Sequence, residues 1–546
     1  MRSSSYSLLA GLTGIVGLLA CPDSPTPSLV VNTAYGAVQG APSEYRDGVT
    51  VFKGIPFGGP TSGSQRWKAP TAPAKWTGVL NATTWGPQCA ALAGEATLFT
   101  SADPTVSEDC LYLNIWKPST AQPGDQLPVY VFIYGGRFEV GSGEVTTYEA
   151  SGLAMQNIVA VNFNYRLGPF GFLAHPDLSA ESGHNSSGNY GLLDQLAALQ
   201  WVRDNIAQFG GNPDHIVVGG QSAGSASSLD MMYSPLTKDL GIQGIISESG
   251  ARGPHDPMTG STATSYRTKS AAEAEGITFL SQVNATSIAE LRALPMTTLI
   301  NKDMMDDTIF ANTPFANNSA FMEPPLWRPV IDGYILPHGY GESLRLNSHL
   351  DVPILTGNNK DESGALENPG LTTTTYQQQF APMFGNLTSE FFHLYPAHND
   401  SQASSSANAF YRDVSRVGTW MWAKDWHAGG ARSKVFTYYW THAAGNSGAA
   451  GHGSELYFVF NNIPYGDSLN VTFYEADYAV EAIMVQYWAN FIRTGNPNGH
   501  NLTHFPSSEW APATMWLGDS WGVGPISDSS GRIAFLEKWM GYQGEW

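Results

Sequence analysis

The chain has 546 residues, of which 42% are hydrophobic and only 14% are charged, and its formal net charge is −20 at pH 7. This composition excludes a disordered tail protein, because a chain so rich in apolar side chains can bury a large core. The negative charge repels phosphate backbones and anionic membrane surfaces, so we expect no nucleic-acid partner and no stable membrane insertion.

The first feature in chain order is an N-terminal targeting segment. Arg2 carries a positive charge, residues 6–20 form an apolar stretch, and the sequence PDSPTP at residues 22–27 ends any helix. The apolar stretch is too short to span a bilayer, which favours a signal peptide over residues 1–20. We therefore expect secretion of residues 21–546 as a single extracellular domain. A bacterial lipoprotein signal with Cys21 as the lipid anchor is the alternative.

The chain contains three cysteines, and two of them lie well beyond this leader. If Cys21 leaves with the signal or lies next to it, Cys89 and Cys110 remain as a pair in an oxidising compartment. We predict a disulfide between them, and two buried free thiols are the alternative.

The sequence also contains Asn-x-Ser/Thr sequons, the acceptor sites of N-glycosylation. They begin at Asn81, Asn185, Asn284, Asn317, Asn386, Asn399, Asn470 and Asn501. Chance predicts about five in a chain of this composition, so the sequons only mildly favour a eukaryotic secreted glycoprotein.

Short apolar runs typical of buried strands occur at residues 129–133, 158–163, 215–219, 242–247, 352–356 and 435–440. Apolar side chains at helical spacing occur at residues 192–209, 271–283 and 478–493. This alternation predicts an α/β fold with a large, mostly parallel central sheet flanked by helices. Residues 253–350 and 369–431 are expected to be helical and loop insertions between core strands.

The first strand of this series, at residues 129–133, leads into Gly135-Gly136-Arg137. Such a loop can turn consecutive backbone N–H groups towards a carbonyl oxygen under attack, so Gly136 and Arg137 are candidate oxyanion donors. The alternative is a tight turn without a catalytic role.

The strand at residues 215–219 continues into Gly220-Gln221-Ser222-Ala223-Gly224. Glycines two residues before and two residues after Ser222 permit the sharp strand-to-helix turn that exposes a nucleophilic hydroxyl. The N–H of Ala223 would supply a third oxyanion donor at the start of the next helix. Because the chain has 58 glycines, the pattern also arises by chance, and a surface turn is the alternative.

Two later loops contain a candidate acid and a candidate base for Ser222. Glu362 follows the strand at residues 352–356, and His452 follows the strand at residues 435–440. The order Ser, acid, His, with each residue after a strand, is the order expected of an α/β hydrolase. Asp361 is a minor rival of Glu362, and a solvated loop carboxylate is the other interpretation of this acidic pair.

Further motifs accompany these loops along the chain. They are FKGIPF at residues 52–57, SEDCLYLN at 107–114, NYR at 164–166 with residues 168–173, GNYGL at 188–192 with Asp194-Gln195, FGGNP at 209–213, and residues 452–460. In this order they resemble the type-B carboxylesterase/lipase family of cholinesterase-like α/β hydrolases. The resemblance runs from about residue 31 to the C-terminus and is to a secreted, fungal-type member.

The resemblance implies the α/β-hydrolase fold with helical insertions and a complete set of catalytic residues. These are a triad of Ser222, His452 and Glu362 and an oxyanion hole formed by Gly136, Arg137 and Ala223. It also implies the Cys89–Cys110 disulfide and a structural ion pair between Arg66 and Glu108. The reaction of such a triad requires no cofactor and no metal, and the Cys and His residues show no metal-ligand spacing.

Three residues depart from the family pattern. One is Ser363, which follows Glu362 where the family commonly has Gly and leaves Asp361 as the minor rival. Gln221 stands where the family commonly has Glu, and Arg137 stands where it commonly has a third glycine. Arg137 keeps the backbone N–H, but its Cβ requires a φ that a non-glycine residue can adopt. We expect its side chain to point to solvent rather than to line the pocket.

The loop between Cys89 and Cys110 narrows the substrate class. A quaternary ammonium group is recognised by an aromatic face with negative charge nearby, whereas this loop holds only Phe99, and Gln221 removes a carboxylate beside the nucleophile. We predict a carboxylesterase that acts through an acyl-enzyme on uncharged small-molecule or lipid-like esters. A lipase or sterol esterase acting at lipid interfaces, and a non-catalytic adhesion protein of the same family, are the alternatives. The oligomeric state is left open.

Overall fold

The computed structural model describes residues 29–92, 97–261, 265–302, 304–362, 364–365, 370–463, 471–508 and 511–546. The signal peptide expected over residues 1–20 and the alternative lipid anchor at Cys21 lie outside the described residues.

The strands of the described residues, numbered in chain order, are β1 (Val30–Asn32), β2 (Ala37–Gln39), β3 (Ala41–Pro42), β4 (Val49–Pro56), β5 (Val79–Asn81), β6 (Gln88–Cys89), β7 (Val106–Ser107), β8 (Tyr112–Pro118), β9 (Leu127–Ile133), β10 (Val159–Phe163), β11 (Gly211–Gln221), β12 (Ile242–Glu248), β13 (Arg267–Thr268), β14 (Val330–Ile331), β15 (Ile354–Asn359), β16 (Val435–Trp440), β17 (Ala513–Leu517) and β18 (Gly522–Pro525). The α-helices are α1 (Ser151–Ala154), α2 (Gly168–Phe172), α3 (Pro176–Glu181), α4 (Tyr190–Asn205), α5 (Ala223–Tyr233), α6 (Pro257–Gly260), α7 (Lys269–Gln282), α8 (Ile288–Ala293), α9 (Met296–Ile300), α10 (Tyr340–Leu346), α11 (Thr373–Phe384), α12 (Thr388–Leu394), α13 (Asp400–Ala428), α14 (Leu456–Phe460), α15 (Glu475–Thr494) and α16 (Ser530–Met540).

The central sheet contains eleven of these strands, in the order β18-β17-β16-β15-β12-β11-β9-β10-β8-β4-β3. From β17 to β10 every neighbouring pair is parallel, and the strands at both edges are antiparallel. Every residue of β10, β15 and β16 is buried, as expected for strands covered by helices on both faces. The predicted α/β fold with a large, mostly parallel sheet is therefore confirmed.

All six apolar runs predicted as strands lie in this sheet, as β9, β10, β11, β12, β15 and β16. The three predicted helices are α4, α7 and α15, although α4 ends at Asn205 and residues 206–209 form a 3₁₀ turn. In the described ranges we find no helix with the length and apolar character that a membrane span requires.

The insertion after β15 contributes a long helix, α13, which begins at Asp400 and ends at Ala428. Asn399 caps its N-terminus by accepting a hydrogen bond from the N–H of Gln402. The N-terminal part of α13 packs with α11, α12 and α16 around a second apolar cluster, which includes Phe380, Phe391 and Phe410. The C-terminal part packs on β15 and β16, so one helix connects this second cluster to the central sheet.

Two predicted side-chain interactions, a disulfide and an ion pair, are present in the N-terminal part of the chain. Cys89 and Cys110 form a disulfide, with their Cα atoms 4.9 Å apart, which confirms the predicted pairing and excludes the free thiols. Arg66 and Glu108 form the expected buried ion pair, in which Arg66 Nε lies 2.6 Å from Glu108 Oε2.

Candidate active site

Ser222 lies at a sharp turn between β11 and α5. Its backbone has φ 60° and ψ −123°, a conformation that non-glycine residues rarely adopt. A Cβ on Gly220 would collide with the carbonyl group of Gly224, and a Cβ on Gly224 would collide with the carbonyl group of Ile133. The turn therefore requires glycine at both positions, and Ser222 lines a cavity rather than forming a surface turn.

Backbone hydrogen bonds connect the loops at the ends of neighbouring strands. Because parallel strands end at one edge of a sheet, the residues that follow β11, β12, β15 and β16 meet there. The bonds run from Ser222 N to Glu248 O at 2.9 Å, from Ser249 N to Gly357 O at 2.8 Å, and from Asp361 N to Ala450 O at 2.9 Å. The segments that carry Ser222, Glu362 and His452 are thus fixed relative to one another.

The loop after β9 packs directly against this turn. A Cβ on Gly135 would lie 2.9 Å from Ser222 Cβ, so only glycine permits the close approach. Gly136 and Arg137 have φ values of 103° and 60°, and both line the cavity together with Ser222. The N–H groups of Gly136, Arg137 and Ala223 donate no hydrogen bond to any described residue. Three unpaired donors therefore surround the nucleophile candidate.

The side chain of Arg137 does not extend into solvent as expected. Its guanidinium group donates hydrogen bonds to Glu139 at 3.0 Å, to Asp306 at 2.7 Å and to the carbonyl oxygen of Glu323 at 3.3 Å. Charge-assisted bonds to two carboxylates hold it against the cavity wall, which explains why the expectation is wrong. Arg137 thereby ties the loop after β9 to the segment around Asp306.

Glu362 is the carboxylate that contacts His452. His452 Nδ1 lies 2.6 Å from Glu362 Oε2, and Glu362 is only 5% exposed. Its other oxygen accepts hydrogen bonds from the N–H of Asn359 at 2.8 Å and from Ser249 Oγ at 3.1 Å. These bonds hold the carboxylate in place beside the imidazole.

Asp361, the minor rival of Glu362, has different partners. One of its oxygens accepts a hydrogen bond from Arg412 at 2.5 Å, and the other accepts one from the N–H of Ala450 at 2.9 Å. Both oxygens of Asp361 are therefore used to hold the loop, and neither reaches the imidazole.

His452 and Ser222 line the same cavity, but no hydrogen bond joins their side chains among the described residues. Nucleophile–base hydrogen bonds are often long in ligand-free sites and shorten when substrate binds. The His452 side chain is 41% exposed, and its open surface faces the cavity. Gln221 Nε2 lies 3.3 Å from His452 Nε2 and 3.5 Å from Nδ1, so the Gln221 amide covers the ring.

The electrostatic surroundings favour protonation of His452. Burial lowers its pKa, but the hydrogen bond and the charge of Glu362 raise it by more, with a further contribution from Glu455, so the pKa lies above the ordinary value of 6.5. Burial raises the pKa of Glu455 to about 7. Burial and the neighbouring charge of Glu455 also raise the pKa of Glu248. A group of buried carboxyls thus lies behind the imidazole.

The cavity has a volume of about 770 Å³ and extends well beyond Ser222. Its lining includes residues that sequence analysis missed, above all Ser249 and Asn408. Ser249 follows the strand β12 just as Ser222 follows β11, so its position after a predicted strand was the available signal. No comparable signal marks Asn408, which lies within the insertion after β15.

The chemistry of this arrangement is that of acyl transfer. A serine hydroxyl and an imidazole held by a carboxylate line one cavity, two residues with unpaired N–H groups, Gly136 and Arg137, line it as well, and the third, Ala223, directly follows Ser222. The residues that the structure describes contain no group of three or more His, Cys, Asp or Glu side chains that could hold a metal ion.

Comparison with known proteins gives relatives along nearly the whole chain. The model of the carboxylesterase family matches residues 27–516. Fumonisin B1 esterase of Sphingopyxis macrogoltabida is 32% identical over 531 residues, which cover 96% of this chain and 92% of that protein. Para-nitrobenzyl esterase of Bacillus subtilis (strain 168) is 32% identical over 494 residues, which cover 86% of this chain and 90% of that protein.

Solved structures agree with these sequence relatives. A PNB esterase structure superposes with a TM-score of 0.75 and 28% identity, covering 94% of this chain and 99% of that one. A carboxylesterase of Geobacillus stearothermophilus superposes with a TM-score of 0.73 and 29% identity, covering 93% and 99%. The chain therefore belongs to the carboxylesterase family, and it is a carboxylic ester hydrolase with the α/β-hydrolase fold.

Proposed function

We propose that the chain is a serine esterase with Ser222 as the nucleophile, His452 as the general base and acid, and Glu362 as the residue that orients the imidazole. The observation that carries this proposal is the 2.6 Å hydrogen bond between His452 Nδ1 and Glu362 Oε2, beside the cavity that Ser222 lines. The carboxylate selects the tautomer whose Nε2 accepts a proton and stabilises the imidazolium that forms.

In this mechanism His452 removes the proton of Ser222 while Ser222 Oγ attacks the ester carbonyl carbon. The negative charge that develops on the carbonyl oxygen receives hydrogen bonds from the N–H groups of Gly136, Arg137 and Ala223. His452 then protonates the leaving alcohol, and an acyl group remains on Ser222. Water, deprotonated by His452, attacks the carbonyl carbon of this acyl-enzyme, and His452 returns the proton to Ser222 Oγ as the bond to the serine breaks and the carboxylic acid leaves.

The charges around the cavity favour uncharged esters. The charged side chains that line it, other than the proposed triad acid, have counter-charges close by: Arg137 with Glu139, Arg252 with Asp256 at 3.1 Å, and Asp361 with Arg412. Each of these charges is already compensated inside the protein, so an ionic substrate would compete with existing pairs. Gln221 adds no charge beside the nucleophile, which disfavours choline esters.

The cellular setting is part of the same proposal. We propose a secreted, fungal-type enzyme, made with a signal peptide over residues 1–20 and consisting of one domain from residue 21 to 546. The Cys89–Cys110 disulfide supports an oxidising compartment. The sequons that begin at residues such as Asn81 and Asn284 provide sites for glycosylation.

The pH dependence of the reaction follows from the surroundings of His452. Only the neutral imidazole can accept the Ser222 proton, so kcat/KM is expected to rise with pH through an apparent pKa above 6.5. Glu455→Gln removes a negative charge that raises this pKa, so the rise is expected to move to lower pH. A pH profile of kcat/KM on a soluble ester measures both values. A rise centred below 6.5, or a shift to higher pH in the variant, contradicts this prediction.

Substrate class is tested by initial rates on p-nitrophenyl esters from acetyl to octanoyl, all kept below their solubility limits, and on tributyrin across its limit. We expect saturable rates on the dissolved esters and no jump when tributyrin forms an emulsion. A sharp jump at the solubility limit would show an interfacial lipase instead. The absence of hydrolysis on every ester would contradict the esterase itself and favour a non-catalytic member of the family.

A further inference from the structure

The cavity continues from Ser222 into the second apolar cluster, beneath α13. One face of this helix lines the cavity through residues spaced three or four apart, namely Ser404, Ala407, Asn408 and Tyr411. The opposite walls of this arm include Met258, Leu371 and Phe380, each at most 4% exposed. The arm is therefore a mostly apolar space at a distance from the proposed catalytic serine.

Asn408 is one of the polar residues in this mostly apolar part of the cavity. Asn408 is only 6% exposed and lines the cavity, and its side chain makes no hydrogen bond with any described residue. Asn318, on the neighbouring wall, is different because its amide oxygen accepts hydrogen bonds from Tyr411 Oη at 2.8 Å and from the N–H of Ala320 at 3.1 Å. The amide of Asn408 is thus left with both a donor and an acceptor directed to the contents of the cavity.

The position of Asn408 along α13 gives its separation from the part of the helix that contacts the end of β15. Ser415, seven residues later on the same helix, accepts a hydrogen bond at 3.3 Å through its carbonyl oxygen from Asn358, at the end of β15 beside the loop of Glu362. Seven residues span about 10 Å along a helix axis. A chain of about eight bonds between carbon atoms covers a similar length.

We propose that Asn408 is a specificity-determining residue that hydrogen-bonds an uncharged polar group at the far end of an apolar chain of the ester substrate. Hydroxyl, carbonyl and amide groups meet this requirement, because the Asn408 amide can both donate and accept. A purely apolar chain on the ester excludes water from Asn408 and leaves its amide unpaired. A chain with a terminal hydroxyl replaces the lost hydrogen bonds. The inference rests on the proposed ester hydrolysis at Ser222 and adds the substrate class.

The test compares matched esters on the wild-type enzyme and on Asn408→Leu, which has a similar volume but no hydrogen-bonding group. One series carries the polar group on the acyl side, as p-nitrophenyl ω-hydroxyoctanoate against p-nitrophenyl octanoate. The other carries it on the alcohol side, as ω-hydroxyoctyl acetate against octyl acetate. For each series we divide kcat/KM for the ester with the hydroxyl by kcat/KM for the ester without it, and call this the hydroxyl/plain ratio. In at least one series we expect this ratio to fall about tenfold in Asn408→Leu.

Two controls separate this specific effect from general damage. p-Nitrophenyl acetate lacks the long apolar chain and the terminal hydroxyl that the proposal assigns to Asn408, so its kcat/KM is expected to change less than about twofold in Asn408→Leu. Ser405→Leu places the same leucine on the exposed face of α13, and we expect it to leave every ratio unchanged. Asn408→Ala provides a second variant that lacks the amide, should the leucine prevent folding.

The role of Asn408 would be overturned if, in both series, the ratio of kcat/KM for the hydroxyl ester to that for the plain ester were the same in the wild type and the variants. In that outcome p-nitrophenyl acetate would still be hydrolysed. A uniform loss on all esters, including the acetate, would show a structural role instead and would also overturn it. If the wild-type enzyme fails to hydrolyse p-nitrophenyl acetate, the proposed function itself fails. The acetate therefore distinguishes the two failures.

Discussion

Ser222→Ala is expected to lower kcat on a soluble p-nitrophenyl ester by about 10⁵-fold or more, because the variant has no oxygen that can form the acyl-enzyme. The remaining rate comes from the oxyanion donors and substrate binding alone. KM is expected to change little, since the cavity wall otherwise stays intact. Stopped assays with product detection at high enzyme concentration measure the residual rate.

The stability of the same variant provides its control. The Ser222 hydroxyl makes no hydrogen bond with any described residue, so its removal leaves no buried partner unsatisfied. The midpoint of thermal unfolding is therefore expected to match that of the wild type. Retention of more than about one hundredth of the wild-type kcat would contradict the assignment of Ser222 as the nucleophile.

Glu362→Gln is expected to lower kcat by about 10³- to 10⁴-fold with little change in KM. The substitution keeps the size of the side chain but removes the negative charge 2.6 Å from His452 Nδ1. The imidazolium formed during acyl transfer then loses its counter-charge, and the amide no longer selects the reactive tautomer. The pKa of His452 is also expected to fall, because Glu362 is the main group that raises it, and the pH profile of the residual kcat/KM measures this fall.

Asp361→Asn is the matched control, one residue away and with the same change from acid to amide. Asp361 binds Arg412 and the N–H of Ala450 and does not reach His452, so we expect this variant to lose less than about tenfold in kcat. If Asp361→Asn were the more damaging of the two, the choice of Glu362 as the orienting acid would be wrong.

The catalytic end of the molecule is predictable from sequence for a physical reason. Ser222, Glu362 and His452 each follow a continuous apolar run, and such runs form parallel strands that end at one edge of the sheet. The glycines around Ser222 are required by the close approach of the chain to Ile133. The disulfide could also be predicted, because two cysteines that remain in an exported chain are expected to pair in an oxidising compartment.

Other features depend on contacts that no local pattern specifies. The side chain of Arg137 is held by Asp306, which lies 169 residues away in an insertion. Asn408 lies on a helical face that is buried like any core face, so periodicity does not distinguish a cavity wall from packed core. The strand β4, next to the edge strand β3, was missed because it contains Lys53 and Gly54, and its pairing with β8 shifts register between Phe52 and Ile55.

The proposed covalent mechanism is tested most directly by mapping where a fluorophosphonate reacts. We expect the wild-type protein to take up one phosphonyl group per chain, to lose esterase activity in proportion, and to carry the adduct on the peptide that contains Ser222. Ser222→Ala is expected to remain unlabelled. An adduct on another serine of the cavity, such as Ser249, or unchanged labelling of Ser222→Ala, would contradict the proposal that Ser222 is the nucleophile.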